Sequence, residues 1–248
     1  MYNQYPVKLI LISCVLFSCK KTNPVISDIT IGDTNQMYVQ SLNVNLDGDY
    51  YDPEIYELDL NNDGIKDISF RSEIVGSPGM GLHSRSFVHC LNSNASIYLE
   101  SFQDTTFLID SINVLQNNGE VMVIHSSTFS CFQLNPTDII YDISNKSLIQ
   151  PFDLGATLNN DLGFSSFATD QNFIRGNGGL GLELDSSNFD TTFYTSIYTI
   201  AECYDFPQDN YNYIGVKVMA NGIDKLGWIK LKISSDRIIS ISESALQF

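Results

Sequence analysis

The sequence predicts an all-β fold, an antiparallel β-sandwich of jelly-roll-like type, and three observations point there. Short segments rich in β-branched and aromatic residues recur from Met37 onward, each bounded by Asn, Asp, Gly or Pro. One of them alternates strictly: Trp228, Lys230 and Lys232 fall on one face, and Ile229, Leu231 and Ile233 on the other, as in a half-exposed strand. No long stretch combines a 3.6-residue period with helix caps, and no repeat of fixed length recurs.

The chain opens on the pattern expected of a leader. Lys8 precedes the apolar run LILISCVLFS, residues 9–18. A run of this length is too short to span a membrane, which takes about 20 residues, and suits the core of a signal peptide. It ends in LFSCKK, with Leu16, small Ser18 and then Cys19. From the residues alone, a signal peptide cut elsewhere or an apolar N-terminal strand remains open. The pattern resembles the bacterial lipobox, and the SCKKTNP context is similar to Bacteroidetes-type lipoproteins. The resemblance implies cleavage before Cys19 and acylation of that residue with long chains such as palmitate. It places the protein on the cell envelope, at the outer membrane. Several acyl chains on one residue give durable anchoring, since each buried methylene contributes about 0.8 kcal/mol.

The expected organisation is a signal peptide over 1–18, a lipid-anchored tether over 19–36 and a single β-sandwich over 37–248. The whole sequence holds 13 basic and 29 acidic residues. Losing Lys8 with the leader leaves 12 against 29, a net charge near −17. Such a chain is a poor partner for nucleic acid, whose phosphates need Lys and Arg to displace counterions. Its 43% apolar content excludes a disordered polyanion. Beyond Cys14 and Cys19, the cysteines are Cys90, Cys131 and Cys203. They allow at most one disulfide and contain no CxxC pair for structural zinc.

Strands are expected in residues 38–46, 120–127, 138–143, 191–200, 211–220 and 226–235. Residues 153–166 read as a long polar loop, and the glycines of 175–185 as tight turns beside a strand. The segment YIGVKVMANGIDKLGWIKLKIS, residues 213–234, resembles a C-terminal hairpin of exported bacterial β-sandwich proteins, in which a GWI-type strand follows a short turn. Here Leu226 stands where an aromatic residue is usual. That group carries no function to transfer.

The stretch YELDLNNDGIKDISF, residues 56–70, is the richest in chemistry. Asp59, Asn61, Asp63, Gly64 and Asp67 fit D-x-N-x-D-G-x-x-D. Calcium takes six to eight oxygen ligands, and alternate carboxylates and amides in a tight loop suit it. The Ile65 carbonyl would supply a further ligand. Phe70 stands where an EF-hand has its closing Glu, and the flanks alternate as strands do. The arrangement resembles the calcium loops of FG-GAP hairpins, which implies calcium held by Asp59, Asn61, Asp63, Ile65 and Asp67. The competing reading is a hairpin turn whose Asn and Asp side chains cap their own backbone. Nearby Asp47, Asp49, Asp52 and Glu54 either add ligands or form a solvated acidic loop.

Other chemistry is thin. His83 and His89 are six residues apart, about 20 Å on a strand, too far to share a metal. They and His125 read as surface or hydrogen-bonded residues. Ser84 and Ser86 lack a nucleophile elbow, and residues 76–84 lack a phosphate-binding lysine. Three stretches starting at Asp104, Asp110 and Asp190 resemble the short D-S/T-x acceptor of Bacteroidetes protein O-glycosylation. The functional expectation is a calcium-stabilised envelope lipoprotein without enzymatic activity, held at the membrane by its lipid. It binds or scaffolds, with a glycan or an envelope protein as partner. The alternatives are a surface glycoside hydrolase using an Asp/Glu pair and a purely structural envelope lipoprotein.

Overall fold

The computed structural model describes residues 28–77, 81–117, 120–130, 139–166, 171–174, 181–185, 192–200, 206–235 and 237–248. The expected leader, Cys19 and the first part of the expected tether lie outside these residues, as do Cys131 and Cys203. The first strands are β1 (Asp28–Thr30), β2 (Met37–Leu46), β3 (Glu54–Leu58), β4 (Ile68–Ser77) and β5 (Gly81–Cys90). The long β6 (Ala95–Asn117), β7 (Glu120–Ser130), β8 (Ile139–Ile149) and two short strands, β9 (Thr157–Asn159) and β10 (Phe164–Ser165), come next. The chain then runs through β11 (Gln171–Ile174), β12 (Gly181–Asp185), β13 (Thr192–Ile200), β14 (Asn212–Ala220), β15 (Ile223–Ser234) and β16 (Ile238–Gln247). In all six segments expected as strands, the described residues form strands to within a residue of the expected bounds. The fold is all-β, and among the described residues no helix is long and apolar enough to cross a membrane.

The described strands form three sheets. A large one runs β12-β13-β7-β6-β14-β15-β16-β2, with β8 and β10 also paired to β6. A smaller one runs β11-β5-β4-β3, and β1 pairs with β9. Pairing is antiparallel except between β7 and β13, which run parallel. The jelly-roll part of the expectation is not shown by this order, in which β14, β15 and β16 lie side by side as a meander.

Alternation explains how the layers stack. Ile229, Leu231 and Ile233 of β15 enter the main core, where they meet Phe70 of β4 and Val88 of β5. That core lies between the large and the four-stranded sheets. Leu226 and Trp228, on the opposite face of β15, belong to a second core with Ile29, Ile31 and Leu158. The pair β1–β9 therefore covers part of the outer face of the large sheet. Ser242 is an extra residue on β16 opposite β15. The bulge flips the facing pattern, so that Ile239 and Ile241 before it and Leu246 beyond it all reach the main core.

Three expectations change here. Residues 28–36, expected as tether, enter the fold: β1 pairs with β9, and Ile31 is buried. Residues 153–166, expected as a polar loop, carry β9 and β10, and Leu158 within them is fully buried. The Trp228 face of β15 is exposed only toward Lys230 and Lys232, because Trp228 itself is 1% exposed beneath that cover. The first two share a cause: a few apolar residues in a short polar segment, such as Ile29 and Ile31 or Leu158, give too short a pattern to read as a strand, yet they suffice to cover a neighbouring sheet.

Candidate functional site

The hairpin β3–β4 carries the candidate loop, residues 59–67. Leu58 pairs with Ile68, and the Asp67 N–H donates to the Leu58 carbonyl at 2.8 Å. Leu58, Leu60 and Ile68 are buried in the main core, so both ends of the loop are fixed by packing. The turn itself needs left-handed backbone at Asn62 (φ 57°) and Gly64 (φ 89°). Asn and Gly are the residues that adopt it at least cost.

The oxygens of the loop face its own backbone. Asp59 accepts the Asp63 N–H at 3.2 Å and the Gly64 N–H at 2.8 Å. The Asn61 Oδ1 accepts the Asp63 N–H at 3.0 Å, while its Nδ2 donates to the Asp63 carboxylate at 3.0 Å. Asp63 also accepts the Ile65 N–H at 2.8 Å. Asp67 differs from the others. It is 2% exposed, with one oxygen accepting the Leu60 N–H at 2.8 Å and the other the Asn92 amide at 3.2 Å. Burial raises its carboxyl above the ordinary Asp range. The two hydrogen bonds pull it back, and the charges of Asp59 and Asp63 push it up again.

Five of the expected ligands thus sit in one turn, but the three carboxylates are spread along it. Among the described residues, no three Asp, Glu, His or Cys side chains gather where they could hold an ion. Each carboxylate oxygen that accepts an N–H keeps a further lone pair, so the donor chemistry still suits a hard cation. Asp47, Asp49, Asp52 and Glu54 do not join the loop. They lie at the opposite end of β3, where the Arg237 guanidinium bonds Asp47 at 2.8 Å and the Gly48 carbonyl at 2.6 Å. Glu54 accepts the Asp47 N–H, and Asp49 accepts the Tyr51 and Asp52 N–H groups. His83 and His89 both lie on β5. Cys90 is buried in the main core. The strand β6 carries the Asp104 and Asp110 acceptor stretches.

Compared with protein-family models, curated proteins and solved structures, this chain matches none.

Two residues that hold the loop carry no signal in the sequence. Gln40 of β2 donates from Nε2 to the Asp59 and Leu60 carbonyls at 2.8 and 3.1 Å. Asn92, between β5 and β6, donates to the Lys66 carbonyl at 3.0 Å as well as to Asp67. Both reach the loop only because the large sheet and the β5–β6 turn pack against it.

Proposed function

We propose that this chain is an exported lipoprotein of the bacterial cell envelope, anchored at the outer membrane through Cys19. In this reading it takes one calcium ion at the 59–67 loop and acts as a non-catalytic binding or scaffolding module for a glycan or an envelope protein. The lipobox pattern supports the anchor. One observation carries the calcium: a nearly buried carboxylate, Asp67, shares a turn with Asp59 and Asp63, whose charges oppose its own. Asp59, Asn61, Asp63, the Ile65 carbonyl and Asp67 would hold the ion. A divalent cation there offsets the mutual repulsion and fixes the turn between two core strands. The hydrogen bonds within the turn favour one second reading: a self-capped loop without an ion, in a purely structural envelope lipoprotein.

Melting curves in chelator, magnesium and calcium separate the two. Extracellular calcium modules bind at about 10⁻⁴ to 10⁻³ M, so about 2 mM calcium would stabilise the native state by about 0.6–1.8 kcal/mol. The melting temperature then rises by a few degrees. Magnesium does less, because it demands compact octahedral geometry. Asp63→Ala removes the calcium response and leaves a folded protein. Identical wild-type curves in chelator and calcium, with no bound metal, would falsify the calcium reading. A glycan array paired with a hydrolysis screen tests the module itself, and release of product sugars would sink the non-catalytic assignment.

A further inference from the structure

The outer face of the large sheet is covered only in part. The β1–β9 pair closes over Gly215 and Trp228, and Gly215 permits this: a Cβ there would meet the Leu158 side chain at 2.8 Å. At the edge of the cover, which still buries Tyr213, the strand register sets Tyr213, Lys230 and Glu243 side by side across β14, β15 and β16. The next row outward holds Lys232, Ser240 and Asn45, with the Ser240 hydroxyl bonded to the Asn45 amide oxygen at 2.8 Å.

Tyr211, just ahead of β14, caps this row and is 49% exposed. The ammonium groups of Lys230 and Lys232 each lie 5.7 Å from its ring centroid. Lys230 is partly neutralised by Glu243 at 3.4 Å. Among the described residues, Lys232 has no carboxylate partner. In a chain of net charge −16, Lys232 thus stands without a carboxylate partner among the described residues, against a half-exposed aromatic ring and on the sheet face that carries Ser240 and Asn45.

We infer that this platform is the glycan-binding surface of the module and that its ligand is an acidic oligosaccharide. The sugar ring lies on Tyr211, its carboxylate meets Lys232, and Ser240 and Asn45 serve its hydroxyls. Charge complementarity selects this occupant: the ring and amides alone would take any sugar, while an ammonium with no carboxylate partner among the described residues favours one bearing a carboxylate. The inference rests on the binding-module reading above. Position agrees with it. Asp28, Met37 and Gln247 meet at one end of the molecule, whereas Asn45 lies roughly 25 Å further along β2. A chain anchored ahead of Asp28 presents the platform away from the membrane.

The test is fluorescence anisotropy of the purified full-length protein with two labelled probes, an α-1,4-galacturonate trisaccharide and neutral maltotriose. The acidic probe binds more tightly, and its affinity falls as NaCl rises from about 20 to about 300 mM. Lys232→Gln weakens it about tenfold, the size expected for one charge-assisted hydrogen bond. Tyr211→Ala weakens it about fivefold, and Lys230→Gln does less than Lys232→Gln. Melting temperatures of the variants verify that they fold. Equal binding of both probes, lost in Tyr211→Ala, overturns the acid preference and leaves the glycan reading standing. Acid-probe affinity unchanged in both Lys232→Gln and Tyr211→Ala overturns the placement. No binding of either probe overturns the platform, and the glycan array then decides the wider reading by itself.

Discussion

Gly48 and Gly64 both sit in acidic turns, but for different physical reasons. A Cβ on Gly48 would lie 2.0 Å from the Ser72 carbonyl oxygen and 2.6 Å from the Glu54 nitrogen, both backbone atoms. Backbone cannot swing aside, so Gly48→Ala forces the 47–53 loop off β4 and costs about 3 kcal/mol or more. Gly64 meets nothing within 4 Å, and its requirement is conformational, at φ 89°. Gly64→Ala costs about 1–2 kcal/mol. Denaturant titration of the two variants checks the order, and a Gly64 variant weaker than the Gly48 variant would reverse the argument. Asp49 adds a pH dependence to the first loop. Bonds from the Tyr51 and Asp52 N–H groups hold its carboxyl below the ordinary Asp value. A depressed folded value means that the loop is favoured above the unfolded pKa and loosens as pH falls through the folded one. NMR titration of the Asp49 carboxyl reads this directly. It shifts upward in Asp49-containing protein unfolded by urea, and an unshifted folded value would refute the capping role.

At the scale of elements, the β1–β9 cover can be followed through one residue. Trp228 is the only tryptophan in the chain. It lies in the second core edge-on to Tyr213, with ring centroids 5.3 Å apart. Its native emission is therefore that of an apolar site. Removing residues 1–36 takes away β1 and Ile31, admits water and shifts the emission to the red. Leu158→Ala leaves β1 in place but opens a cavity beneath it, costing about 2–5 kcal/mol. A truncated chain with unchanged emission and unchanged melting would mean that β9 alone suffices as cover. The loop held by Gln40 and Asn92 is an element of a different kind, mostly polar, pinned in the core by Leu60 and fixed by Gln40 of β2 and by Asn92 between β5 and β6.

For the whole molecule, the two ends of the described chain lie together. The Phe248 N–H donates to the Gln36 carbonyl at 3.3 Å, and Gln36 lines the same cavity as Asp28. Eight residues separate Cys19 from Asp28, a reach of at most roughly 30 Å. An anchored molecule therefore stands with this end toward the membrane. The expected outcome of Cys19→Ser is loss of acylation, with unprocessed or soluble protein recovered. Detergent-phase partitioning and intact mass measure it, and an unchanged lipid mass in the variant would remove the anchor from the proposal.

Although it did not mark β5, β6 or β16, the sequence by itself determined the all-β class, the strand character of six segments, the placement of the hairpin around residues 59–67 and the segregation of Ile229, Leu231 and Ile233 from Trp228. All of these follow from local pattern: β-branched alternation, and Asn and Gly where left-handed backbone is required. Tertiary structure alone decided the rest. It recruited residues 28–36 into the fold through Ile31, turned a polar stretch into a cover through Leu158, and paired β7 with β13 in parallel across a long connection. It also brought Gln40 and Asn92 to the acidic loop, and set Lys230 and Lys232 against Tyr211. These are contacts between residues far apart in the chain. No local period encodes them, because they exist only once two sheets have chosen which faces to bury.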